Sequence, residues 1–303
     1  MPAIETTGLT KEYGPGVRAV DDLDLTVETG EVYGFLGPNG AGKSTTIDVL
    51  LDFVRPTAGQ ASVLGLDAGE DTREIHERVG VLPDGYGLYD RLDGRTHLEF
   101  AADLKSTDDD PDALADRVGL DPAALDRPVG GYSKGMTQRL ALGMALVGQP
   151  DLVILDEPTS GLDPNGAREM REVILAENDR GATVFFSSHI LEQVEAVCDR
   201  VGILRNGRLV AEGSLENLRD DVGGGSVITL SVADVPAGFD VGPVLGVTAL
   251  DVSERAVRAT CEHPEAKVAV IDAVREAGAR VTDVHTDGSS LEEMFAAYTE
   301  GLQ

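Results

Sequence analysis

Nine consecutive residues, Gly37-Pro38-Asn39-Gly40-Ala41-Gly42-Lys43-Ser44-Thr45, carry the densest chemistry in the chain. Glycines spaced two and three apart let a backbone turn tightly and aim its N–H groups at one point, which suits a phosphate. Lys43 supplies a charge for β- and γ-phosphates, and the Ser44 hydroxyl is placed to bind Mg²⁺. The plainer reading is a glycine-rich turn that merely joins two elements. The flanks argue against it. Residues 31–36 read as a short buried strand, and 46–51 put apolar residues at helical spacing. Strand, glycine loop and helix N-terminus together form the setting a nucleotide phosphate needs.

Two further groups could act on such a phosphate. Leu152-Val153-Ile154-Leu155 is an uninterrupted apolar run, as expected of a strand buried on both faces of a parallel sheet. Asp156 and Glu157 emerge at its C-terminal edge, where open α/β sheets bind ligands, and a second tight loop follows over 158–164. His189 ends another strand, 183–186 with Ser187-Ser188, on the same expected edge as Glu157. A lone histidine is more often structural, but this position favours function. Tyr13 stands among polar neighbours two dozen residues before the glycine loop. It reads equally as an exposed aromatic of no consequence or as a flat surface for an adenine ring.

The elements that must position these groups alternate in type. Residues 3–36 are strand-rich, with turns at 14–16 and 29–30. A turn at 55–59, a strand at 62–64, a helix over 71–78 and a buried strand over 79–82 follow, and Pro83-Asp84-Gly85 ends that strand. Residues 95–147 read helical: Leu98, Phe100, Ala101 and Leu104 near one face, Leu114 and Val118 near another, Leu140, Met144 and Leu146 in a third helix. The acidic stretch 106–111 reads as a solvated loop with a helix start rather than a metal site. After a helix over 165–179 and a hairpin of 201–204 with 208–210, Gly223-Gly224-Gly225 marks a linker. Beyond it the pattern predicts strands around 228–232, 257–261 and 281–284. A helix opens at Pro264, and a last one follows the capping box Ser290-Leu291-Glu292-Glu293.

With 303 residues, the chain should hold one large domain and a smaller one. Its net charge of −29 leaves no positive field for nucleic acid, so no such partner is expected. Acidic excess over a patterned, folded sequence with few lysines points to a protein of a high-salt cytoplasm. Cys198 and Cys261 lack metal-ligand spacing, no signal peptide is visible, and no apolar run approaches 18 residues. A cytoplasmic location is the expectation.

Taken in order, these motifs resemble the ATP-binding subunit of an ABC transporter over roughly residues 3–220. Residues 37–44 are similar to Walker A and 152–156 to Walker B. Glu157 falls on the catalytic glutamate, 160–163 on the D-loop, His189 on the switch histidine and Tyr13 on the adenine-stacking aromatic. The tail resembles the accessory domain behind drug-exporter ATPases of the daunorubicin-resistance type. The resemblance implies an α/β P-loop fold: a mixed sheet core, an antiparallel β subdomain and a helical subdomain at about 85–147. It places the ATP-binding domain at 1–220 and a small α+β domain at 221–303.

Two motifs depart from the family pattern. The signature reads Tyr132-Ser133-Lys134-Gly135-Met136 in place of Leu-Ser-Gly-Gly-Gln, keeping Ser133 and Gly135 to meet a γ-phosphate. The Q-loop position holds Asp84, which could reach Mg²⁺ through water, and no glutamine lies between Gln60 and Gln138. The resemblance further implies ATP and Mg²⁺ as cofactors, the metal on Ser44 and Asp156. It implies a head-to-tail dimer, with itself or a paralogous ATPase subunit, in which Ser133 and Gly135 act in trans. Separate transmembrane permease subunits would hold it at the inner face of the cell membrane, and export is the implied direction. A mechanical ABC-type ATPase is the alternative, but the chain has one cassette and no heptad insertion. A P-loop kinase would leave the signature, D-loop and switch histidine without purpose.

Overall fold

The computed structural model describes residues 1–14, 16–221, 226–233, 242, 244–253, 255–261 and 265–287. The chain divides into two compact units, Met1–Ser214 and Leu215–Gln303, where the sequence reading sets its boundary at 220/221.

In chain order the first unit begins with β1 (Pro2–Glu12), β2 (Arg18–Glu28), β3 (Val32–Leu36) and α1 (Lys43–Leu50). There follow β4 (Ala58–Val63), β5 (Leu66–Asp67), α2 (Thr72–Arg78), β6 (Val79–Leu82), α3 (Gly94–Lys105), α4 (Pro111–Arg117) and α5 (Lys134–Ala145). It ends with β7 (Leu152–Asp156), α6 (Pro164–Asp179), β8 (Thr183–Ser188), α7 (Leu191–Glu195), β9 (Arg200–Arg205) and β10 (Arg208–Gly213). β1, β2, β4 and β5 make an antiparallel sheet in the order β2-β1-β4-β5. The second sheet runs β10-β9-β3-β8-β7-β6, parallel except for the β10 edge. β3, β7 and β8 are buried at every residue, and their apolar runs 32–36, 152–155 and 184–186 fit central parallel strands. Ile4, Leu25, Phe35, Ile47, Leu50, Ile154 and Phe185 belong to one core shared by α1 and both sheets.

Register is what matters for chemistry. Leu36 pairs with Ser188, Asp156 with Ser187 and Leu82 with Leu155. The segments leaving β3, β6, β7 and β8 therefore start side by side along one sheet edge.

α3, α4 and α5 form the helical part, and their starts are set by side-chain caps. Asp93 accepts from Thr96 N, Asp110 from Asp112 N and Ser133 from Met136 N. The acidic loop 106–111 thus supplies a cap. Asp109 also accepts from Gly148 N, and no metal-binding cluster of His, Cys, Asp and Glu occurs among the described residues. The expected apolar face of α3 needs correction. His97, Leu98 and Ala102 are buried, while Phe100 and Leu104 are 57% and 70% exposed. Positions 94, 98 and 102 repeat every four residues and face the core, so Phe100 and Leu104 fall outside that stripe. α7 and β5 are further elements that local pattern did not suggest. β4 starts at Ala58, inside the expected turn, with Gly59 at φ +80° within the strand.

The second unit contains α8 (Leu215–Asp221), β11 (Ser226–Val232), β12 (Val247–Val252), β13 (Ala256–Cys261), α9 (Ala266–Glu276) and β14 (Val281–Asp287). Its antiparallel sheet has the order β12-β13-β11-β14. Ile228, Leu230, Val257 and Ala259 pack with Val270 and Val274 of α9. The expected linker at 223–225, Pro264, and the helix expected after Ser290 lie outside the described residues.

Candidate functional site

Residues 37–42 join β3 to α1, and two glycines there are required by backbone approach. A Cβ on Gly42, which caps α1 at φ 112°, would stand 2.2 Å from the Ala19 carbonyl oxygen. One on Gly37 would stand 2.6 Å from that of Leu204. Gly40, at φ +80°, faces open space. The N–H of Thr46, donated to Gly42 O at 2.9 Å, is the first amide of α1 to close a helical bond. No side chain caps the helix and its first turn holds no acid, so its positive end is left for an anion.

Tyr13, Asn39, Gly40, Ala41, Gly42, Lys43, Ser44, Thr45, Asp84 and Glu157 line one cleft of about 310 Å³, along with Ala19. Most of the residues singled out from sequence are thus brought together. Gly37 and Pro38 are not among its lining residues, but their carbonyls accept from Lys43 Nζ at 2.7 and 3.5 Å. Lys43 is only 6% exposed. Its Nζ is 3.3 Å from Glu157 Oε1, a close charge contact that lacks hydrogen-bond alignment, and that buried oxygen has no hydrogen-bond partner. The other oxygen, Oε2, is met by His189 Nδ1 at 2.8 Å. Lys43, Glu157 and His189 therefore form one line of charge and hydrogen bonding.

Glu157 is held in a left-handed conformation, φ 52°, which costs about 1–2 kcal/mol in a residue with a Cβ. Its N–H donates to the carbonyl and hydroxyl oxygens of Ser187 at 3.3 and 3.1 Å, and its carbonyl accepts from Ser160 N at 3.0 Å. Those bonds outweigh the strain and fix where the carboxylate leaves the sheet. Asp156 is buried beneath it, accepting a hydrogen bond from Ser187 Oγ. Asp48 of α1 stands close enough that burial, then the Asp156 charge, push its carboxyl up from the ordinary value of 3.8.

Two expected residues stay apart. Ser133 caps α5 and Gly135 lies in its first turn; neither lines the cleft. A Cβ on Gly135 would come within 4.0 Å of Leu162, in the loop after β7. Tyr13, 44% exposed, does line the cleft, and Lys11 Nζ lies 5.1 Å from its ring centroid. Sequence reasoning assigned no role to Ser187, Asp48 or Gln138. Ser187 was legible only as part of Ser187-Ser188-His189, and Asp48 and Gln138 as polar residues in helices.

A second, more apolar hollow of about 350 Å³ opens between the end of β6, α3 and α5. Phe53, Val81, Tyr86, Leu104 and Met144 are among its lining residues. It lies away from the glycine loop, and segment 83–88 borders both spaces through Asp84 on one side and Pro83 and Tyr86 on the other.

The family described as ABC transporter matches residues 20–160. The daunorubicin/doxorubicin resistance ATP-binding protein DrrA of Streptomyces peucetius is 35% identical over 307 residues, covering 98% of this chain and 92% of that protein. An uncharacterised ABC transporter ATP-binding protein of Nostoc is 44% identical over 227 residues, covering 71% of this chain and 67% of its own length. Among solved structures, one described as the ATP binding subunit of an ABC transporter is 30% identical with a TM-score of 0.66. That match covers 73% of this chain and 93% of the other.

Proposed function

Because the chain belongs to the ABC transporter ATP-binding family and is an ATP-hydrolysing subunit powering a membrane transporter, we propose that it drives export from the cytoplasm. We further assign the chemistry to the cleft at the N-terminus of α1. The observation that carries this assignment is the lining of that single cleft by Tyr13, 39–45, Asp84 and Glu157. Tyr13 stacks against the adenine, while the amides of 39–45 and Lys43 receive the phosphates. Ser44 and Asp156 offer hard oxygen donors, which fit Mg²⁺, and Asp84 is a third candidate acting through water. Bound there, Mg²⁺ would neutralise charge on the β- and γ-oxygens. Glu157 orients the attacking water and accepts its proton, and His189, bonded to it, positions water and γ-phosphate.

Ser133 and Gly135 lie outside the chain's own cleft, which supports their use by a second subunit. We propose a head-to-tail dimer, of two copies or with a paralogous ATPase subunit, closing on two ATP molecules. Separate permease subunits would dock on the apolar hollow bordered by segment 83–88 and hold the protein at the inner membrane face. Residues 1–220 form the ATP-binding domain in this reading and 221–303 an accessory domain. The relative named for daunorubicin and doxorubicin resistance, matched over nearly the whole chain, supports a drug exporter. Net charge −29 supports a high-salt cytoplasm and no nucleic-acid partner. The test is to reconstitute the chain with the protein of about six membrane spans that co-purifies with it. That protein should raise MgATP hydrolysis and move a lipophilic cationic drug outward. Hydrolysis indifferent to it, or inward movement, would refute the assignment.

A further inference from the structure

Glu157 is followed by Pro158, whose carbonyl oxygen accepts a 2.7 Å hydrogen bond from Nε2 of Gln138, a residue 5% exposed on α5. The same amide's oxygen accepts from the Tyr86 hydroxyl at 2.9 Å. The Pro158 carbonyl fixes which way this amide points, because a flipped Gln138 would set two acceptor oxygens against each other. Tyr86 is the donor in this bond, because an amide oxygen can only accept. The chain of bonds thus runs Tyr86, Gln138, Pro158, with Glu157 next in sequence. Its far end lies in segment 83–88, which borders the cleft through Asp84 and the apolar hollow through Pro83 and Tyr86. Its middle lies on the helix that Ser133 caps.

We propose that Tyr86 and Gln138 are positioning residues for hydrolysis: they transmit the placement of segment 83–88 to the backbone that aims Glu157. This rests on the assignment of Glu157 to ATP hydrolysis. Through these bonds segment 83–88 has a second route toward Glu157 besides Asp84. Glu157 sits in a strained, left-handed conformation with Ser187 bonded on one side and this chain of bonds on the other. Loosening either side should let the carboxylate drift, and a displacement of about 1 Å can cost up to about 10²-fold in rate.

The test uses the full chain, steady-state MgATP hydrolysis and thermal melts. Tyr86→Phe keeps the ring and removes the donor. It should lower kcat about tenfold, with KM for ATP and the melting temperature near wild type. Gln138→Met should lower kcat to the same extent while also lowering the melting temperature, because it leaves the buried Pro158 carbonyl without its donor; the double variant's kcat should be no worse than that of the poorer single one. Gln138→Glu gives a sharper sign. Ionised, the introduced carboxylate would repel the Pro158 carbonyl; protonated, the same group would donate to it. Its kcat relative to wild type should therefore recover as pH falls from about 8 to about 6, since burial raises a carboxyl. Unchanged kcat in Tyr86→Phe, additive losses, or a pH-independent deficit in Gln138→Glu would overturn the proposal while the assignment of Glu157 stands. A wild-type chain inactive with MgATP would overturn both.

Discussion

Glu177→Ala should be among the most destabilising single changes in the first unit. Arg117 reaches from α4 to α6, where its Nε donates to Glu177 Oε1 at 2.6 Å and its Nη2 to Oε2. Glu177 is 3% exposed. After its removal the guanidinium keeps only the Leu146 carbonyl, 3.3 Å from Nη1, among these partners. An uncompensated buried charge of this kind costs about 3–5 kcal/mol. At about 2–4 °C per kcal/mol in a unit of this size, the melting temperature falls by about 6–20 °C. Replacing both partners, Arg117→Met with Glu177→Leu, removes the charge as well as the bond, so it should be neutral or stabilising by up to about 4 kcal/mol. Urea unfolding of the transition that ATP shifts upward provides the assay. Because the pair is buried, the loss should persist in molar KCl, unlike that of the exposed Arg73–Glu77 pair. A cost below about 1 kcal/mol for Glu177→Ala, or a double variant as damaged as the single one, would show that the pair is not a buried charge contact of this strength.

Three other outcomes follow from the same geometry. Tyr13→Ala should weaken ATP binding about 5- to 150-fold, the equivalent of about 1–3 kcal/mol of base stacking, and leave inorganic triphosphate binding unchanged; titration calorimetry with both ligands decides. Asp48 has a folded-state carboxyl raised above 3.8, so the folded chain holds that proton more tightly than the unfolded one. Its stabilising contribution is full below 3.8 and fades as pH climbs through the raised value; Asp48→Asn should raise the melting temperature at about pH 7 and not at about pH 3, measured without Mg²⁺. The melting temperature of the wild-type chain should rise steeply from dilute buffer to molar KCl, because screening shortens from about 30 Å at 0.01 M to about 3 Å at 1 M; a flat profile would remove the high-salt reading.

The centre of the fold was legible because its signals are local. β3, β7 and β8 carry the apolar runs 32–36, 152–155 and 184–186, and only a glycine meets the backbone approaches at positions 37 and 42. Their ends fall on one sheet edge by the rules of parallel topology, which placed Glu157 and His189 together from the pattern alone. What escaped the sequence depends on distant partners. Phe100 and Leu104 look like core until the stripe of α3 is fixed by its packing on α5. β12 was invisible because most of its residues are exposed and its stability comes from pairing with β13. Gly59 marks a turn by composition, yet the antiparallel partner β1 draws it into β4. Ser187 and Gln138 carry no local mark of function; their bonds to Asp156 and Pro158 span 31 and 20 residues.

In the proposed function, Glu157, aimed by Ser187 and met by His189, takes the hydrolytic step once ATP is held by the glycine loop. Glu157→Gln keeps the size of the side chain and removes the carboxylate. Steady-state MgATP hydrolysis by that variant should fall by roughly 10²-fold or more while ATP binding is retained. ATP should then hold it as a dimer on size-exclusion chromatography. Near wild-type turnover in Glu157→Gln would take the hydrolytic step away from this carboxylate.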